Sequence, residues 1–230
     1  MTSKIPVVSI SCLSDYLTGN LPLASFHEDQ KIKATFKELV DAFTEWGFVY
    51  LVDHGIPQNV INGAYQSYKD FFMLDKSVKE KFLRYSNVEN LGYVPFKMET
   101  LDKNRPSDLK EAFNFLPTTV FAQGLTDHLP EFMSNQTELF NSCKDLSLLM
   151  LRLLNLFLPT DDKDFLLSKH RYIGNLNDNA SISRFLYYPS ISNDENVAEN
   201  QLRCGEHSDY GTFTLLFQDG VGGLQVNRFV

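Results

Sequence analysis

The sequence predicts an α+β fold in which helices come first and strands come last. Apolar residues recur at spacings of three and four up to Phe157, which is typical of helices with one buried face. After residue 180, β-branched and aromatic residues fall in short runs between turn residues, which indicates strands. Of the 230 residues, 43% are hydrophobic and 22% are charged, so the chain can bury a sizeable core.

Helices dominate the predicted elements before Pro159. The clearest one presents Ile32, Leu39 and Phe43 on one face and ends at Gly47. In chain order we predict a strand over Pro6–Ile10, a helix over Ile32–Trp46, a strand over Phe48–Val52, a helix over Val60–Phe72, a helical stretch over Ser77–Phe82, an extended stretch over Gly92–Pro95, a strand over Glu111–Phe115 and the longest helix over Phe132–Phe157.

Strands and loops are predicted for the rest of the chain. A strand over Ser181–Tyr188 is followed by a polar loop over Pro189–Gly205. A second strand is predicted over Thr212–Gln218, where apolar and polar side chains alternate. A glycine turn then leads into a last strand within Gly222–Val226.

Charge and cysteine usage argue against several classes of protein. The formal net charge is −8 and the lysines and arginines are scattered, so we expect no nucleic-acid partner. No secretory signal is recognisable, and the longest apolar stretch, Leu146–Leu158, is too short and too polar to span a bilayer. We therefore expect no membrane association. The three cysteines show no C-x-x-C spacing, which favours a reducing compartment and a cytoplasmic location, with a nuclear location reached by diffusion as the alternative. The oligomeric state stays open.

A histidine and an aspartate two residues apart form the candidate metal site. His207 and Asp209 flank Ser208 just before the predicted strand Thr212–Gln218. In an extended segment alternate side chains point the same way, so the imidazole and the carboxylate would converge. One neutral nitrogen and one anionic oxygen suit a divalent first-row metal ion. The alternative is a surface histidine and aspartate that lie close by chance.

The residues around this pair resemble a signature of the iron(II)- and 2-oxoglutarate-dependent dioxygenases, in their isopenicillin N synthase-like branch. The run His-Ser-Asp-Tyr-Gly-Thr-Phe-Thr-Leu-Leu-Phe-Gln-Asp, from His207 to Asp219, is followed by Gly-Gly-Leu-Gln-Val. Other motifs of this family occur in the family's order along nearly the whole chain: Ile5–Val8, Trp46–Leu51, Asp53–Pro57, Phe71-Phe72 with Lys76 and Lys79–Lys81, Gly92-Tyr93, Asp108–Phe113 and Tyr187–Pro189. The ordered set is far more specific than any single motif.

The resemblance implies a fold, a domain organisation and an activity. We expect an N-terminal helical region packed on a double-stranded β-helix, or jelly-roll, barrel that is incomplete at the C-terminus. Residues 1–120 would form the N-terminal non-haem dioxygenase region, and residues 121–230 the long helix and the first part of the oxygenase domain. The implied activity is oxidation of a small-molecule substrate with O2, and the implied cofactors are Fe(2+) and the cosubstrate 2-oxoglutarate.

The resemblance also implies roles for individual residues. His207 and Asp209 match two iron ligands of the family. Tyr188 matches a tyrosine that binds 2-oxoglutarate in several relatives, and a core aromatic residue is the alternative interpretation. Leu186 stands where many relatives have an asparagine that also touches the cosubstrate.

His54 matches a structural residue of the family, and no residue is assigned a catalytic role. We expect the remaining histidines to be exposed: His27, His128 and His170.

Two parts of the family's site are expected after the last matched strand. They are the second metal-binding histidine and an Arg-x-Ser pair for 2-oxoglutarate, and the sequence ends at Val230. Three explanations are open. The chain is a fragment of a full dioxygenase, which we favour, or an inactive homologue that acts as a binding or interaction protein, or one that a partner chain completes. With only two protein ligands, we expect the site to hold metal weakly.

Overall fold

Two compact units, neither continuous in sequence, make up the protein. The computed structural model describes residues 4–84, 90–117, 120–156, 158–175, 181–191 and 196–227. The first unit comprises Met1–Pro57, Ser142–Arg171 and Leu215–Val230, and the second comprises Gln58–Asn141 and Tyr172–Thr214. Helices and two sheets form the described elements, so the predicted α+β class is confirmed. The predicted division at residue 120 stays a prediction. No described helix is both long and apolar enough to cross a membrane.

Up to Tyr187 the predicted helices and strands occur in the predicted order, and the short α-helices over Ser14–Leu17 and Phe165–Lys169 were not predicted. In chain order the observed elements are β1 (Val7–Ser9), a 3-10 helix (Ser11–Leu13), α1 (Ser14–Leu17), a 3-10 helix (Leu23–Glu28), α2 (Gln30–Trp46), β2 (Tyr50–Val52), α3 (Gln58–Phe72), α4 (Lys76–Lys79), a 3-10 helix (Glu80–Phe82), β3 (Gly92–Val94), β4 (Glu111–Phe115), a 3-10 helix (Val120–Asp127), α5 (Phe132–Asn155), α6 (Phe165–Lys169) and β5 (Ser183–Tyr187). Phe157, the predicted end of the longest helix, lies outside the described residues.

Helix α2 of the first unit carries clear signals at both ends. The carboxylate of Asp29 accepts a hydrogen bond from the backbone N–H of Lys31 at 2.8 Å, which caps the N-terminus. Gly47 ends the helix in the left-handed conformation (φ 68°), and its N–H donates to the carbonyl of Phe43. The chain then continues into β2, which pairs in parallel with β1.

The second unit is built on a three-stranded antiparallel sheet in the order β3-β4-β5. Side chains alternate between the two faces of a strand, so Phe185 and Tyr187 of β5 share one face. Phe185 stacks on Tyr68 of α3, and Tyr187 stacks on Phe72. These residues pack against a cluster whose aromatic members are Tyr68, Phe71, Phe72, Phe82, Tyr93, Phe113, Phe115 and Phe132. The opposite face, which carries Leu186, therefore faces away from α3.

A buried ion pair ties α4 to this sheet. Lys79 Nζ lies 2.7 Å from Glu111 Oε2, and it also donates to the carbonyl of Phe72 at 3.1 Å. The hydroxyl of Tyr93 donates to the same carboxylate oxygen at 2.5 Å. Both charged side chains are about nine-tenths buried, so each depends on the other for compensation.

The strands predicted over Thr212–Gln218 and Gly222–Val226 are wrong for the described residues. Exposure does alternate along the first segment, where Phe213, Leu215 and Phe217 are half-buried between exposed neighbours. That alternation shows only that successive side chains differ in exposure. A strand also needs a partner that closes a ladder of hydrogen bonds, and no described segment pairs with either stretch.

Candidate metal centre

The two predicted metal ligands lie side by side. His207 Nε2 is 3.4 Å from Asp209 Oδ1, and the two side chains are 37% and 58% exposed. Two donor atoms bound at right angles to one first-row metal ion, each roughly 2.1 Å from it, are about 3.0 Å apart. The observed separation is close to this value, so the donor set fits a single divalent ion. The predicted convergence holds even though the segment is not part of a ladder.

The imidazole of His207 is oriented by its own loop. Its Nδ1 lies 2.8 Å from the carbonyl oxygen of Gly205. A carbonyl oxygen only accepts, so Nδ1 must carry the proton of this hydrogen bond. In the neutral ring Nε2 then keeps a free electron pair, and it is the atom that faces Asp209. Metal-binding histidines are commonly arranged in this way.

Gly205 is packed too tightly for any side chain. A Cβ atom at this position would lie 2.8 Å from the backbone nitrogen of Asp102 and 3.0 Å from its Cβ. The N–H of Gly205 donates to Asp108 Oδ1 at 2.9 Å. Glycine is therefore required here by the close approach of another backbone segment, and the loop that carries His207 is anchored at this point.

Tyr188, the predicted cosubstrate residue, follows directly after β5 and is partly exposed. Burial, and next the neighbouring Cys204, raise the pKa of its phenol above the ordinary value. The hydroxyl therefore stays protonated at neutral pH and can donate a hydrogen bond to a carboxylate. By strand alternation, Leu186 is on the same face of the sheet. The leucine side chain at position 186 has no hydrogen-bond donor that could act together with Tyr188.

Within the described residues, the other four histidines lie in separate environments and do not form a cluster with His207 and Asp209. His54 closes its own turn, because its Nδ1 accepts the backbone N–H of Ile56 at 3.1 Å, in accordance with the predicted structural role. His128 is exposed as expected. The expectation is wrong for His27 and His170, which are partly buried. Burial lowers the pKa of His27, and the ring of His170 lies 2.7 Å from the carbonyl oxygen of Leu166.

The described ranges contain no cluster of three or more His, Cys, Asp or Glu side chains suited to a metal ion. Sequence reasoning did not foresee that Asp108 holds the loop of His207. A signal was present in Asp108-Leu109-Lys110, where two charged residues alternate with an apolar one at the entry to a predicted strand. Such residues are seldom buried unless they are paired.

Two family models match the chain. Residues 5–135 match the N-terminal family described as "non-haem dioxygenase in morphine synthesis N-terminal". Residues 179–229 match the 2OG-Fe(II) oxygenase superfamily, and this stretch holds Tyr188, His207 and Asp209.

Curated relatives extend the similarity over most of the chain. The UPF0676 protein of Schizosaccharomyces pombe is 31% identical over 202 residues, which cover 83% of this chain and 58% of that protein. The 2-oxoglutarate-dependent dioxygenase gloF of Glarea lozoyensis is 31% identical over 205 residues, which cover 82% and 60%. The chain therefore spans only about 60% of the length of these relatives.

Solved structures show a related fold. A Caulobacter crescentus protein assigned to the 2OG-Fe(II) oxygenase family matches with a TM-score of 0.56 and 26% identity, over 84% of this chain and 59% of that one. A full-length Neurospora crassa protein in complex with alpha-KG matches with a TM-score of 0.66 and 24% identity, over 90% and 61%. The family match over more than half of the chain, joined by the match around His207, shows that this chain belongs to the 2OG-Fe(II) oxygenase superfamily, as its motifs predicted.

Proposed function

We propose that the chain provides two iron ligands and part of the cosubstrate site of an Fe(II)- and 2-oxoglutarate-dependent oxygenase. The observation that carries the proposal is the 3.4 Å approach of His207 Nε2 to Asp209 Oδ1, with His207 Nδ1 already committed to a backbone carbonyl. The proposal includes the fold: β3-β4-β5 would belong to a double-stranded β-helix.

The residues of the chain have separate tasks in this proposal. His207 binds the metal ion through a neutral nitrogen, and Asp209 binds it through an anionic oxygen, which offsets part of the ion's charge. Tyr188 binds a carboxylate of 2-oxoglutarate through its protonated hydroxyl. When bound, Fe(II) and 2-oxoglutarate supply O2-dependent oxidation of a C–H bond, coupled to the conversion of 2-oxoglutarate to succinate and CO2.

The substrate class is proposed from the relatives. A Petromyces alliaceus relative with 29% identity is named a proline hydroxylase, and a Neurospora crassa neighbour is solved with alpha-KG and thymine. Both names concern small molecules, which supports a small-molecule substrate for this chain. The three cysteines are free thiols, which supports a reducing compartment such as the cytoplasm.

Metal titration tests the proposed ligands directly. Co(II) is added without oxygen to the chain and to its His207→Ala and Asp209→Ala variants, and binding is followed by calorimetry and visible absorption. His128→Ala is the matched control, because it removes an exposed imidazole elsewhere. We expect each ligand variant to lose about 10-fold or more in affinity and the control to bind as the unchanged chain does. Equal affinity in all four proteins would refute the metal site.

Succinate formation tests the cosubstrate. With Fe(II), ascorbate and 2-oxoglutarate, turnover should depend on His207 and should need a higher 2-oxoglutarate concentration in Tyr188→Phe. If Co(II) binds at His207 and Asp209 but no 2-oxoglutarate is consumed, the chain binds the metal ion without turnover, and oxygenase activity of the chain by itself is refuted.

A further inference from the structure

We propose that Asp108 and Lys110 are positioning residues that hold His207 in the tautomer and orientation needed for metal binding, through the backbone of Gly205. The importance of that orientation for iron rests on the proposed function. The tautomer itself is a property of the metal-free chain.

The pair is deeply buried. Asp108 and Lys110 are each 3% exposed, and Lys110 Nζ lies 2.7 Å from Asp108 Oδ2. A second carboxylate, that of Glu99, lies 3.9 Å from the same ammonium group. Charged groups at this depth are kept in place by their partners, because any movement would leave one of them uncompensated. Asp108 is therefore a rigid acceptor.

Each oxygen of the Asp108 carboxylate has its own task. Oδ2 accepts from Lys110, whereas Oδ1 accepts the backbone N–H of Gly205 at 2.9 Å. Gly205 in turn uses its carbonyl oxygen, 2.8 Å from His207 Nδ1. Both backbone polar groups of this glycine are committed, one to the buried pair and one to the metal ligand. Two hydrogen bonds thus connect the buried pair to the imidazole.

The connection is short and has little freedom. The close approach of the Asp102 backbone to Gly205 restricts movement of the glycine. The preceding loop is fixed separately, because the N–H of Leu109 donates to the carbonyl of Leu202 at 2.9 Å. Attachment of the loop therefore does not depend on Asp108 alone. The specific contribution of Asp108 is to aim the carbonyl of Gly205 at His207.

Two double variants separate this role from folding. In Asp108→Leu/Lys110→Met both charges are replaced by apolar side chains of similar size, which buried ion pairs often tolerate. The acceptor for Gly205 is then lost. In Asp108→Asn/Lys110→Met the charges are also lost, but the amide oxygen can still accept the N–H of Gly205. Asp102→Asn is the single-site control, since it neutralises a neighbouring carboxylate that does not accept from Gly205.

The first readout is the tautomer of His207 in the metal-free chain. Long-range proton–nitrogen correlation spectra of the 15N-labelled imidazoles are recorded for every protein at the same pH. The His207 signals are assigned by their loss in His207→Ala. We expect the Nδ1–H form in the unchanged chain, in the Asn/Met variant and in Asp102→Asn. We expect a mixture of both tautomers in the Leu/Met variant.

The second readout is Co(II) affinity. The Leu/Met variant should bind about 10-fold more weakly, and the Asn/Met variant should stay within a few-fold of the unchanged chain. If the folded Leu/Met variant keeps the Nδ1–H form and binds Co(II) normally, the positioning role is refuted while the metal site stands. If His207→Ala also binds Co(II) normally, the proposed function fails, and the tautomer spectra alone decide the positioning role.

Discussion

Replacing Gly205 by alanine tests whether the loop of His207 is anchored by close packing. The new methyl carbon would lie 2.8 Å from Asp102 N, 3.0 Å from Asp102 Cβ and 3.3 Å from Asp108 Oδ1. Two of these neighbours are a backbone atom and a Cβ, which cannot swing aside as the end of a long side chain does. Relief requires the loop to move away, and that movement lengthens the hydrogen bond to Asp108.

The magnitude follows from these two effects. Overpacking costs about 1–3 kcal/mol, and a weakened hydrogen bond to a charged group adds about 1 kcal/mol or more. We expect Gly205→Ala to lower the free energy of unfolding by roughly 2–4 kcal/mol. The measurement is a urea unfolding curve followed by circular dichroism, with Co(II) affinity as a second readout.

Gly220→Ala provides the matched control. Apart from its chain neighbours, no atom of the described residues lies within 4 Å of a Cβ built at Gly220, so this variant should unfold within about 0.5 kcal/mol of the unchanged chain. If Gly205→Ala unfolds at the same urea concentration as Gly220→Ala and binds Co(II) equally well, the packing argument for the anchor is wrong.

Three further predictions concern charged and titrating groups. Lys79→Met should destabilise the chain by about 3 kcal/mol in urea unfolding, because the buried Glu111 loses its partner, and adding Glu111→Gln should restore part of the loss; an unchanged midpoint would contradict this. Asp29→Ala should lower the free energy of unfolding by about 1 kcal/mol near neutral pH. Asp41→Ala, which removes an exposed carboxylate, should lower it by less. The hydrogen bond from Lys31 lowers the pKa of Asp29 in the folded chain. The stabilisation by Asp29 is therefore complete above pH 3.8, the ordinary pKa of the residue, and is lost as the pH falls through the lower folded pKa. A difference in unfolding free energy between Asp29→Ala and the unchanged chain that persists at about pH 2 would oppose this. Burial raises the pKa of Tyr188 above 10.0, so the unchanged chain should lose stability relative to Tyr188→Phe as the pH rises from about 9 to 11, and parallel pH curves would argue against it.

Local signals in the sequence predicted most helices and strands. The end of α2 was predicted correctly from Gly47, whereas its start was predicted at Ile32, two residues after the observed start at Gln30. The strand Glu111–Phe115 was predicted with the bounds that the structure shows. For the segment Thr212–Gln218, local sequence signals were not sufficient to predict the secondary structure. Alternation indicates an extended chain, but pairing depends on a second segment that alternation does not identify.

The candidate site divides in the same way. The spacing of His207 and Asp209 was sufficient to predict their convergence, since two residues of one loop are involved. The anchor of that loop was not predictable from spacing, because Asp108 and Gly205 are 97 residues apart. Long-range hydrogen bonds of this kind follow from the packing of the second unit, so they required the structure.

The order of strands in the second unit has a consequence for protein synthesis. Asn114 of β4 bonds to Arg184 of β5, 70 residues later in the chain. A ribosome adding about 5–20 residues per second needs roughly 4–14 s to cover that distance. During this interval one edge of β4 has no partner, and the rings of Tyr68 and Phe72 lack the aromatic residues that later stack on them. The nascent chain therefore offers an apolar surface for chaperones, and a slowed ribosome would prolong its exposure to aggregation.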